Sequence, residues 1–260
     1  MPERLNNKYK ISRTRFDSMH CVNLGVAQHA IANAMNLAVE EHAHVFLGPA
    51  VDVRLPIDAD DDAVFYDLQL RFKVWLSRHN LQCRCPRFTS VIKGSEVFSC
   101  KAAAAPKLVA WLAELLLEFS DKCPGMSRQR ISLAAVCLWG LAKYFHVLRS
   151  ASRFLTSLEA VELDEAGHAF LTSYSILGWE VVPKFHQFQH IVLDAVADRS
   201  NPRFFTCFGD EDQVGKMLRT AAASHSQTVV PSTIGNYLMG LRIRWLIGEQ
   251  AVDAGEWLIK

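Results

Sequence analysis

Two short acidic strings, far apart in the chain, carry the residue types that divalent-metal chemistry needs. The first runs Arg15-Phe16-Asp17-Ser18-Met19-His20-Cys21-Val22-Asn23-Leu24-Gly25-Val26. It reads as a strand-like run ending in an aspartate, with a histidine three residues on and a helix after it. A carboxylate at a strand end is held on rigid backbone, as a metal ion beside a reacting phosphate requires. The same spacing allows Asp17 simply to cap the next helix and His20 to be a polar residue of its first turn. The second string, Cys207-Phe208-Gly209-Asp210-Glu211-Asp212-Gln213-Val214-Gly215-Lys216-Met217-Leu218, is an aromatic run followed by acids at a helix start. Acidic first turns are common because they face the positive end of the helix dipole. Glu211 could instead aim a carboxylate at a metal while Lys216 and Arg219, about one and two turns on, approach a phosphate backbone.

Other clusters are weaker. His186 and His190 stand at i and i+4 on one helical face and could ligate zinc, but Gln187 and Gln189 lie between them and no H-E-x-x-H string forms. The expectation for them is burial with hydrogen bonds on a mostly apolar helix, and a polar packing role beside the acidic site stays open. The cysteines Cys21, Cys83, Cys85, Cys100, Cys123, Cys137 and Cys207 show neither C-x-x-C nor finger spacing, so free thiols in a reducing, intracellular compartment are expected. Asp58, Asp60, Asp61 and Asp62 suit a helix cap and solvated loop better than a metal site.

The elements that would position these residues are helices. Ile31, Met35, Ala38 and Val39 share one face. Val64, Leu68, Phe72, Trp75 and Leu76 form a second stripe, and Leu108, Trp111, Leu112, Leu115, Leu116 and Phe119 a third, opened by Pro106 and stopped by Pro124 and Gly125. Ser127 caps the next helix, whose face is Ile131, Ala134, Ala135, Leu138, Leu141, Ala142 and Phe145. Another follows around Phe170, Leu171, Tyr174 and Leu177. Strand-like sequence is confined to Tyr9–Phe16 and Arg203–Phe208. Two strands alone are marginal, so they must lean on the helices.

A 50% apolar composition supplies a buried core, and a net charge of +1 argues mildly against nucleic acid as partner. Charge is uneven, however: Arg4, Lys8, Lys10, Arg13 and Arg15 face only Glu3 in the opening segment, a modest basic arm or a solvated terminus. No signal peptide is read, and no stretch is read as approaching the ~20 apolar residues of a membrane span.

The Asp17-x-Met19-His20 pattern followed by Asn23-Leu24-Gly25-Val26 resembles the D-x-x-H signature after the second catalytic strand of CACTA-type and related eukaryotic DDE transposases. Glu211 to Met217 looks like their third acidic segment, a glutamate opening a helix with Gly215-Lys216 four and five residues on. Pro183-Lys184-Phe185-His186-Gln187-Phe188-Gln189-His190 is similar to their Pro-Lys-x-His-type string. The resemblance covers residues 9 to 225 or so, although only these strings are specific.

It implies a mainly α chain: the helical bundle inserted into an RNase H-like α/β core, with a remnant of the sheet. Residues 1–30 would be a core strand and helix, 31–200 the insertion, and 201–260 the last core segment. It further implies Asp17 and Glu211 as catalytic, magnesium-binding carboxylates supported by His20. DNA would be the partner, met by Arg13, Arg15, Lys216 and Arg219, with a nuclear location and a possible homo-oligomer. The family's first aspartate sits on an earlier strand, whereas residues 1–16 contain no aspartate. The chain therefore reads as N-terminally truncated and catalytically inactive. Two other functions compete: a helical protein-interaction domain, and a metal-dependent hydrolase using Asp17, His20, His186, His190 and Glu211.

Overall fold

Apolar residues recurring every three to four positions fold into helices whose stripes meet in one core. The computed structural model describes residues 15–48, 55–56, 58–89, 92–207, 214, 217–219, 221–223, 228–235 and 238–239. A π-helical segment, Met19–Val26, leads through a kink at Gly25 into α1 (Ala27–Glu40). There follow the one-turn α2 (Ala43–Phe46), α3 (Asp61–Arg78), α4 (Ala105–Lys122), α5 (Gly125–Ser150), α6 (Ser157–Ile176) and α7 (Pro183–Asp198). The chain divides into two compact units, Met1–Thr206 and Cys207–Lys260. Described parts of the second unit, such as 217–219 and 229–235, are helical.

The helix starts follow local chemistry. Asp60 accepts the Ala63 amide at 3.1 Å, with Asp61 and Asp62 in the first turn of α3, so this acidic run is a cap. Thr156 and Glu159 make a reciprocal capping box at α6. Pro106 and Pro183 sit in the opening turns of α4 and α7, where a missing amide costs nothing. Helix α5 begins at Gly125 rather than at a Ser127 cap, because Gly125 takes a left-handed φ of 70° that turns the chain sharply after α4.

The expected sheet remnant is not seen among the described residues. Among the described residues no strand forms; a lone antiparallel bridge joins Phe154 to Ser200. Residues 15–17 are irregular, and Pro202–Phe204 is a 3-10 turn capped by the Asn201 side chain. Pro202 precedes the expected strand, and the Asn201 cap draws Arg203 and Phe204 into the turn with it. Residues 9–14, the rest of the first expected strand, lie outside the described residues.

In the first unit α5 lies between α4 and α6, α7 packs on α6 and on the π segment, and α1 leans on α4 and α5. By length and composition α5 could cross a membrane, with a mean hydropathy of 1.6 over its most apolar window, contrary to the sequence reading. Here it is the central helix of a bundle, covered from two sides. Its Gly140 lets α6 approach closely: a Cβ there would stand 2.8 Å from the Ala166 carbonyl oxygen and the Phe170 amide. Tyr144, Phe170, Tyr174, Phe185 and Phe188 fill the space between α5, α6 and α7 with edge-to-face and stacked rings. Each such pair adds about 0.5–1.5 kcal/mol to the burial itself.

Candidate functional site

The segment from Arg15 to Gly25 lies against α7, and the two run in opposite directions. Arg15 forms ion pairs with Asp194 and Asp198 at the far end of α7. Next, the Phe16 ring lies 6.2 Å from that of His190. The Cys21 thiol donates to the Gln187 side-chain oxygen at 3.2 Å, and Lys184 Nζ donates to the Leu24 carbonyl at 2.9 Å. At Gly25 a Cβ would stand 2.6 Å from Lys184 Cδ and 3.1 Å from the His20 carbonyl oxygen, so a larger residue would push the lysine aside. Asp17 and His20 therefore fall between the Phe16 and Cys21 contacts, on the stretch of the seam from which His186 and His190 emerge.

Asp17 is fixed from both sides. Its Oδ1 accepts the Met19 amide at 2.9 Å, and its Oδ2 lies 2.5 Å from His20 Nδ1. The aspartate thus closes the first turn as a cap would, while orienting the imidazole. Ser18 anchors the turn: its amide donates to the Phe205 carbonyl at 3.1 Å and its hydroxyl meets the buried Tyr144 hydroxyl at 3.4 Å. The expectation that Asp17 lies near the 203–208 segment is met by this contact, although no strand carries it. Burial, and then the charge of Asp17, push the Cys21 thiol up, with Lys184 opposing. Cys21 accordingly serves as a neutral donor.

On α7, Phe185, Phe188, Ile191, Val192 and Ala195 take the buried face. His186 and His190 are exposed, which corrects the expectation of burial: about half a turn of phase separates them from the apolar stripe. Their Nε2 atoms stand 3.1 Å apart with ring planes at 79°.

The remaining expected site residues are scattered. Arg15 is engaged by two carboxylates, so its charge is locally neutralised. Arg219 is exposed on a helical turn of the second unit. Arg13, Lys216 and Glu211 lie outside the described residues. The free-thiol expectation agrees with all seven cysteines being unbridged; burial raises Cys100 to about 11 and Cys85 to about 12, so both stay protonated near neutral pH. The Arg15 clamp and the Lys184–Leu24 bond escaped sequence reasoning, since a pairing across the whole bundle leaves no local pattern.

No family model, no curated protein and no solved structure matches the chain.

Proposed function

We propose that the chain derives from a DDE transposase of the CACTA-type and related eukaryotic class, and that these 260 residues do not cleave DNA by themselves. One observation supports the reading: two of the strings that carry the resemblance, distant in sequence, lie side by side. Asp17 and His20 sit on the seam opposite the Pro183–His190 string. A helical bundle between the two acidic strings is also what the family's insertion would supply.

Magnesium in that chemistry activates a water or a DNA 3′-hydroxyl and stabilises the leaving oxygen. Asp17 fits such an ion in kind, being a hard oxygen donor oriented by the Met19 amide. Glu211 would be its partner. Residues 1–16 contain no aspartate, so these residues carry two of the family's three acids, and loss of one ligand removes most two-metal catalysis.

Manganese is a hard, paramagnetic stand-in for magnesium. In water-proton relaxation titrations the chain should bind it, and Asp17→Asn should weaken binding by about tenfold or more. Supercoiled DNA should stay intact with either metal. Equal manganese binding by Asp17→Asn would remove the metal role, and magnesium-dependent nicking lost in that variant would overturn the inactivity.

A second reading, a helical protein-interaction domain, is favoured by a different observation. Val136 and Trp139 on α5, with Leu158 and Val161 on α6, are exposed large apolar side chains, and Arg15 is spent on Asp194 and Asp198. Manganese binding independent of Asp17 would move the balance to it.

A further inference from the structure

We infer that His186 and His190 chelate a divalent transition ion of the imidazole-preferring kind, with zinc as the reference case. The argument is geometric. Two nitrogens each about 2.0–2.1 Å from one zinc ion stand about 3.3–3.4 Å apart in a tetrahedral site and about 2.9 Å apart at a right angle. The two Nε2 atoms, 3.1 Å apart, fall between these limits. They meet the ion without any change of backbone, because residues one turn apart on a helix project side by side.

The helix is rigid at this point. Phe185 and Phe188, on the opposite face of α7, are buried among Tyr144, Phe170 and Tyr174, and hold α7 against the bundle. Both imidazoles are exposed, so an ion reaches them from solvent and water completes its coordination. Phe16 shields one side of His190. Two neutral imidazoles at this distance also satisfy one N–H···N hydrogen bond, so the ion displaces a single weak contact and no buried network. The site stands apart from the transposase reading: it needs neither DNA, magnesium nor Glu211.

The test uses the whole chain without DNA or magnesium. Zinc chloride is titrated by calorimetry into the wild type, His186→Ala and His190→Ala, with circular dichroism checking that helix content is unchanged. The chain has ten histidines, so the variants provide the background. Each substitution should remove one zinc equivalent, or weaken that site by more than about tenfold. Zinc should raise the Tm of the wild type and not of either variant, since an ion bound to the folded helix stabilises it. Absence of zinc binding in the wild type, an unchanged isotherm in either variant, or loss in only one of the two would overturn chelation by the pair. Failure of the transposase reading would show in the manganese titration of Asp17→Asn and leave this result untouched.

Discussion

Single side chains hold the ends of this bundle together, and Asn201 is the clearest case. It is fully buried between the end of α5 and the turn after α7. Its Nδ2 donates toward the carbonyls of Leu148, Ala151 and Ser152 at 3.0 to 3.2 Å, and its Oδ1 accepts the Arg203 amide at 3.0 Å. No other side chain offers donor and acceptor in that shape. Asn201→Ala should cost about 1–3 kcal/mol, because buried carbonyls lose their donor. Urea unfolding would measure it; a change under about 0.5 kcal/mol, the size of an ordinary surface substitution, would show that water replaces the amide. Asn201→Asp should do at least as much harm, having nothing to donate. Arg15 works at the same scale, clamping the start of the described chain to the end of α7.

At the scale of elements, the α5–α6 contact depends on a missing side chain. Gly140→Ala would drive a methyl group into the backbone of α6 at Ala166 and Phe170, and backbone cannot swing aside. The expected loss is about 1–3 kcal/mol, read as a lower Tm with helix content retained. An unchanged Tm would mean that the helices separate at no cost. The helices themselves were legible: Ile31, Met35, Ala38 and Val39 are all buried, as are Val64, Leu68, Phe72 and Leu76, and Pro106 opens α4 as read. Periodicity reports which face is apolar, and burial follows from that. It failed where the decision is not local. Phe204 and Phe205 look like strand residues, yet no neighbouring strand exists to pair with them among the described residues, and Asn201 makes a turn cheaper. His186 and His190 were expected to be buried on a mostly apolar helix; counting phase from Phe185 and Phe188 puts them on the opposite face. Of the candidate site, the seam between Asp17, His20 and α7 had only the order of its strings to announce it.

For the molecule as a whole, every member of the hydrophobic core among the described residues lies between Met19 and Val196. A chain ending at Thr206, the boundary of the first compact unit, therefore loses none of them. It should melt cooperatively within about 4 °C of the full chain, the shift that roughly 1 kcal/mol produces in a domain of this size. Loss of cooperativity on removing residues 207–260 would show that the second unit completes the core. The π segment has a consequence of its own at this scale. It is not one continuous winding with α1: Gly25, at φ −127° and ψ −107°, leaves helical geometry and kinks the chain just before α1 begins. Each residue of an ordinary helix advances by about 100°. Removing one residue between Cys21 and Leu24, ahead of the kink, would swing the Asp17–His20 pair by about that angle away from α7 while α1 kept its place, so the bend at Gly25 lets the pair face its neighbour independently of how α1 is wound.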